Sequence, residues 1–168
     1  KINVAQLKLN KLGALFLFTS RGITMIHSGQ EFARSKVTPL TNQNDPNRGM
    51  IDHNTYDKDN EANYINYNYA KFNQDLFDYY KGLIELRKKY KAFRRAEYDN
   101  VQFFSVKGND FALGYELNYE DEHFVVLFNA HPLKEAAFNL PKGKWEVLAD
   151  QDKAGIKVLR IVKRVITV

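Results

Sequence analysis

The chain has 168 residues, 44% hydrophobic and 27% charged, with 25 basic and 20 acidic side chains and a formal net charge of +5. That balance excludes wholesale disorder, and the length allows one domain or two small ones. Cysteine is absent, which excludes a disulfide framework and a thiolate metal site.

Val4, Leu7, Leu12, Leu15 and Phe16 recur at helical spacing and predict a helix over residues 4–20, with Gly22 as its stop. The chain opens inside this pattern without a start methionine, as expected of a piece of something longer. Lys8 and Lys11 break the layout of a signal peptide. Next, a short apolar stretch lies between Gly22 and Ser28-Gly29. It reads as a buried parallel strand over residues 23–27, with His27, Ser28, Gln30 and Glu31 past its carboxyl end, where α/β folds place ligand sites. A helix, a glycine turn and a buried strand make half of a βαβ repeat. The remaining strands are expected upstream or on another chain.

Residues 38–69 turn to Asn, Asp, Tyr and Thr, with Pro39, Pro46 and Gly49 and no apolar period. Such a loop offers amides, carboxylates and phenols to a polyhydroxylated ligand. It reads equally well as a solvated loop held by Asx turns. A second helix is predicted over residues 72–91 from the stripe Phe72, Leu76, Tyr80, Leu83 and Ile84, continued by Arg87. Arg87, Lys88, Lys89, Lys91, Arg94 and Arg95 read as the solvated cationic end of that helix rather than as a phosphate-binding patch, so no nucleic-acid partner is expected. No apolar stretch reaches the roughly 20 residues of a membrane-spanning helix.

After Tyr98 the pattern changes to short strands over residues 101–106, 111–117, 123–130, 134–140 and 144–148, with two more between 156 and 168. Lys107-Gly108-Asn109-Asp110 and Tyr119-Glu120-Asp121-Glu122 supply turns. An antiparallel β-sandwich follows from this spacing. The chain thus divides into an α/β part, residues 1–95, and an all-β part, residues 96–168.

Phosphate-binding glycine loops, nucleophile elbows and HExxH are missing. His27, His53, His123 and His131 lack metal-ligand spacing, so neither a metal nor a cofactor is expected. His123 and His131 read as surface residues at strand ends, and His27 as a hydrogen-bonded structural histidine. Glu31 has the chemistry of a general acid or base. Glycoside hydrolysis, however, needs two carboxylates across one bond. The obvious partners, Asp45 and Asp52, lie in a polar loop, so Glu31 reads as structural, bonded to nearby backbone or to Arg34. Tyr115, Tyr119 and Trp145 are the aromatics a sugar-binding β-domain would expose, set against the simpler reading that Trp145 fills the core.

These residues carry a resemblance. The string GITMIHSGQEFARSK, residues 22–36, resembles the last barrel strand of the α-amylase superfamily (glycoside hydrolase family 13), and in particular the GxPFxxxGQEFxRTK pattern of pullulanases and related debranching enzymes. The likeness continues through Asn54-Thr55-Tyr56 to Asn63, similar to NSYNxPDxxN, and through residues 79–87, similar to YYKGLIxLRK, to Ala92-Phe93-Arg94. Residues 125–129, Leu140-Pro141 and residues 145–155 resemble the family's terminal β-domain.

The resemblance implies an α/β plus all-β fold. Residues 1–95 would be the last part of a (β/α)8 TIM barrel, comprising helix 7, strand 8 and helix 8. Residues 96–168 would be an antiparallel β-sandwich C-terminal domain. It implies part of a hydrolase that cuts α-1,6 branch linkages of pullulan, glycogen or starch dextrins with retention. The α-glucan and the upstream part of the same polypeptide are the partners; the catalytic carboxylates lie upstream, and this chain alone is inactive. Asn54, Tyr56 and Asn63 match the motif and are carried over as substrate-side residues. Asn60 stands where the family has aspartate, and Thr24 where it has proline. The alternative is a non-catalytic carbohydrate-binding module built on the β-domain.

Overall fold

The computed structural model describes residues 1–168. Helix α1, Val4–Thr19, begins with a capping box: the Asn3 side chain accepts from the Gln6 N–H at 2.8 Å, and the Gln6 amide oxygen accepts from the Asn3 N–H at 3.0 Å. Its last turn carries no basic residue, so its terminal carbonyls need partners from elsewhere. Arg87 donates through Nη1 to the carbonyls of Phe18 and Ser20, both at 2.8 Å, and through Nη2 to that of Gly22 at 2.5 Å. The Tyr115 hydroxyl donates to the Thr19 carbonyl at 2.9 Å. Arg87 is 8% exposed. The sequence reading of Arg87 as part of a solvated cationic end is therefore corrected: it caps another helix, while Lys88, Lys89, Lys91, Arg94 and Arg95 remain exposed.

Apolar spacing marks the packed face of α1 only in part: Leu7, Leu12 and Leu15 pack against the cores. Lys11, Ala14, Phe18 and Thr19 are buried, whereas Val4 and Phe16 are exposed. The helix is apolar around much of its circumference, and α2 packs where Ala14 permits close approach.

Residues 23–27 also depart from expectation. They join no ladder and make no backbone hydrogen bond before His27, whose carbonyl accepts from Gln30 N–H at 2.8 Å. Ile26 packs on the first core, but Ile23 and Met25 stand exposed. A strand needs a neighbour to pair its backbone, and every strand pair in the chain is antiparallel and lies beyond residue 100.

Helix α2, Gln74–Lys89, follows a 3₁₀ segment, Tyr67–Asn73. It buries Leu76, Tyr79, Tyr80, Leu83 and Leu86 against Ala14 and Phe18 to form the first core, with Phe72 left half-exposed. Asp75 in the first turn and Lys88 and Lys89 in the last suit the helix dipole. Gly82 faces the turn at residues 150–155 so closely that a Cβ there would lie 1.9 Å from the Ala154 carbonyl oxygen. Around that contact Tyr79 donates to Asp150 O at 3.0 Å, and the Lys11 ammonium donates to Asp152 O at 2.9 Å. No helix is long and apolar enough to cross a membrane.

A short helix α3, Ala92–Arg95, receives its cap from Glu122, whose carboxylate accepts from the N–H groups of Lys91 and Ala92 at 3.1 and 2.7 Å. Strands β1, Val101–Val106, β2, Asn109–Tyr119, and β3, Glu122–Asn129, form an antiparallel meander. Two small sheets complete the fold: β4, Ala137–Asn139, pairs β7, Val165–Thr167; β5, Trp145–Val147, pairs β6, Arg160–Val162. One face of the meander (Tyr115, Leu117, Val126 and Phe128) packs on Ala92, Phe93 and Ala96, and on Leu12 and Leu15 of α1. The other face meets Ala136 and Phe138 through Ala112, Phe104 and Leu127. The strands expected after Tyr98 therefore form, arranged as three antiparallel sheets.

Two stability predictions follow from this packing. Gly82→Ala sets a Cβ against backbone rather than a flexible side chain, and should cost about 2–3 kcal/mol, the upper part of the overpacking range; an unchanged urea midpoint would contradict the contact. Burial pushes the Tyr115 phenol up to about 12 from 10.0, and burial raises Tyr79 in the same direction. The unfolded phenols ionise first, so stability is intact below pH 10 and falls as pH rises from 10 towards 12. Tyr115→Phe, which cannot ionise, should show a shallower alkaline decline in urea midpoint; equal slopes would refute the assignment.

Candidate functional site

The turn after residues 23–27 is built on Gly29, which sits at φ 90° and is overlain by the Arg34 side chain, leaving no room for a Cβ. Its N–H donates to the Glu31 carboxylate at 3.0 Å. Glu31 thus takes the structural role expected of it, through backbone. The Gln30 side chain accepts from His27 N–H at 3.2 Å and donates to the Tyr80 hydroxyl at 3.0 Å, which fastens the turn to α2. His27 is corrected: only its main chain is bonded in this turn, and its imidazole is exposed. The Asn73 side chain adds a second fastening, donating to Phe32 O at 2.9 Å and accepting from Ile2 N–H at 3.0 Å.

From this base two cations reach into the long loop. Arg34 donates to Ala62 O at 3.0 Å and Tyr64 O at 3.4 Å. Lys36 donates to the hydroxyl of buried Thr55 at 2.6 Å. Residues 38–66 contain no helix, only an isolated bridge between Val37 and Ile51 and a succession of Asx turns. In these turns Asp45, Asp52, Asn60 and Asn66 each accept from the N–H two residues ahead. Of the two readings left open by composition, the Asx-turn scaffold is what organises the backbone; ligand contact falls to the side chains left over. Sequence reasoning missed Arg34 and Lys36 as tethers, because cations next to a polar loop give no periodic signal.

The three carried-over residues have different settings. Tyr56 is 85% exposed, its phenol free of the loop scaffold. Asn54 is exposed and borders an open recess of about 470 Å³ with Thr38, Asp45, Asn47, Asp52 and Lys58. Asn63 turns inward and donates through Nδ2 to Thr55 O at 2.5 Å and to Lys58 O. Asn63 and Tyr56 do not line the recess. Asp52 and Lys58 pair at 2.6 Å across it, and that bond holds the Asp52 carboxyl below its ordinary value. Tyr64, Tyr67 and Tyr69 are further exposed phenols near this loop; their signal was the run of tyrosines between residues 56 and 69.

The aromatics proposed for the β-domain fare less well. Tyr115 is 6% exposed and belongs to the core, so its role as a sugar platform is withdrawn. Tyr119 packs half-buried beside it. Trp145 stays outside all three cores: it is half-buried, donates its indole N–H to Pro141 O at 3.0 Å and meets the His123 ring edge-on at 4.7 Å. A β5 of only three residues holds it at the margin of the sheet.

No family model matches the chain. It is 28% identical to Pullulanase A of Streptococcus pneumoniae serotype 2, over 86% of this chain and 15% of that protein. The pullulanase of Bacillus acidopullulyticus superposes on all of this chain and 20% of its own, with a TM-score of 0.79 at 24% identity. The pullulanase of Anoxybacillus sp. LM18-11, complexed with maltotetraose, does so over 100% of this chain and 23% of its own, with a TM-score of 0.76 at 26% identity. The chain is thus similar to the carboxy-terminal region of pullulanases and spans 15–23% of the length of these three.

Asn63→Ala removes two bonds worth about 1 kcal/mol each and should raise amide exchange over residues 55–58 at least several-fold, with little change in global melting. Unchanged exchange there would show that the loop is held by other contacts.

Proposed function

We propose that this chain is the carboxy-terminal portion of a glycoside hydrolase that debranches α-glucans, cutting α-1,6 linkages of pullulan, glycogen or starch dextrins with retention. In this reading residues 1–95 close a (β/α)8 barrel, and residues 96–168 form its antiparallel C-terminal domain. The observation that carries it is the likeness of the whole chain, in order, to one continuous region of pullulanases.

The loop of residues 38–69 then forms one wall of the cleft. Tyr56 offers an exposed ring on which a glucose unit stacks, Asn54 offers an amide at the edge of the recess, and Asn63 positions the turn that carries Tyr56. A retaining mechanism needs two carboxyl groups roughly 5 Å apart, one as nucleophile and one as acid and then base. Here Glu31 is engaged by the Gly29 N–H and Asp52 by Lys58. Their engagement favours catalytic carboxylates in the upstream part of the same polypeptide.

The 168-residue chain by itself should release no maltotriose from pullulan, whereas the polypeptide that includes the upstream part should. In that polypeptide Tyr56→Ala should raise KM about three- to tenfold with kcat little changed, as for loss of uniform binding. Maltotriose release by the 168-residue chain alone, measured by chromatography, would overturn the assignment.

A further inference from the structure

The meander face that looks away from the helices is covered by β4 over only part of its width, and the uncovered part carries its own chemistry. Gln102 and Glu116 stand directly opposite each other across β1 and β2. On β3, His123, paired with Asn118 two residues along, reaches Glu116 diagonally, with Nε2 3.2 Å from Glu116 Oε2. Cross-strand partners share a face, and two residues along β1 that face presents Phe104, whose ring meets Phe138 of β4 at 6.1 Å. Between the strands runs a groove of about 660 Å³, lined by Gln102, Glu116 and Phe104 on the meander side, Lys107 at the β1–β2 turn, and Asn139 and Pro141 on the β4 side. That volume lies within the roughly 300–1,000 Å³ of small-molecule sites. Trp145 stands behind this lining, bonded to the carbonyl of Pro141 and leaning on His123.

We propose that this groove is a second carbohydrate site, separate from the loop of residues 38–69, which takes a short stretch of α-glucan. The choice of α-glucan rests on the debranching reading above; the choice of a neutral sugar rests on the groove itself. Besides Ser105 and Lys107, its polar groups are the amides of Gln102 and Asn139 and the Glu116 carboxylate, planar groups that engage two neighbouring hydroxyls at once. Glu116 and Lys107 balance in charge, so neither an anion nor a cation is favoured, and one lysine is too few for a phosphate backbone. Phe104, Leu140 and Pro141 supply apolar surface for the C–H faces of sugar rings. Gln102, Lys107 and Asn139 are exposed, while Phe138 behind them is buried. The polar lining is therefore not holding the fold together.

Trp145 is the chain's one tryptophan and is bonded to Pro141 of the groove lining, so intrinsic fluorescence reports on changes there. Titrating the 168-residue chain with maltotetraose should give a saturable fluorescence change, accompanied by amide shifts at Gln102 and Glu116 in NMR spectra. Gln102→Ala and Glu116→Ala should each raise Kd about tenfold, in line with a lost hydrogen bond of about 1.4 kcal/mol, while melting temperatures stay near that of the parent chain. Tyr56→Ala should leave this titration unaltered. Absence of both the fluorescence change and the β1–β2 shifts overturns the proposal. So does a response that Tyr56→Ala abolishes and Gln102→Ala leaves intact, since that sugar sits at the loop. Failure of the longer polypeptide to cleave pullulan would overturn the enzyme assignment alone, and a silent groove in a polypeptide that does cleave it would overturn the groove alone.

Discussion

The carboxyl end of α1 is where the chain is tied together. The carbonyls of Phe18, Thr19, Ser20 and Gly22 all accept from side chains at least 65 residues away: Arg87 from α2 and Tyr115 from β2. Thr19 and Ser20 satisfy the Leu15 and Phe16 carbonyls locally, but an orphaned carbonyl in a buried setting costs about 1–3 kcal/mol, so the carbonyls beyond them draw on both distant elements. The guanidinium, although burial lowers its pKa, meets the negative end of the helix dipole. Helices and meander therefore cannot rearrange independently, and the second core, which mixes α1 residues with strand residues, expresses the same constraint in apolar contacts.

From that junction the order passes outward to the loop. Helix α2 carries Tyr80, which takes the Gln30 amide, and the residue before it, Asn73, takes the Phe32 carbonyl. The turn so fixed presents Arg34 and Lys36, whose bonds reach residues 55, 62 and 64. A loop without regular structure is thus held at several points by charged or amide donors on bonded stems, which lets Tyr56 project without losing its position.

Much of this is legible in the residues. The period of α2 and the alternation of β1 to β3 locate those elements closely, because one-sided burial imposes a repeat that spacing reveals. The face of α1 is legible only in part, since a helix that is apolar nearly all round does not declare its partner. Residues 23–27 have the composition of a strand, but pairing is a property of two segments and no neighbour within the chain supplies it. Gly82 stands inside a helix with no local reason; the reason is the Ala154 carbonyl, seventy residues on. At the candidate site, the motif identifies Asn54, Tyr56 and Asn63 together, yet only the fold separates the two that face outward from the one that braces.

The segment of residues 23–27 has one more consequence, for the chain's behaviour at high concentration. A ribbon with unpaired amides and carbonyls and with apolar Ile23 and Met25 on its open side is a template for cross-β growth. Arg21, exposed, flanks it, in the position that a charged gatekeeper occupies beside an aggregation-prone run. Colloidal stability of the isolated chain then depends on the charge of Arg21 beside that run.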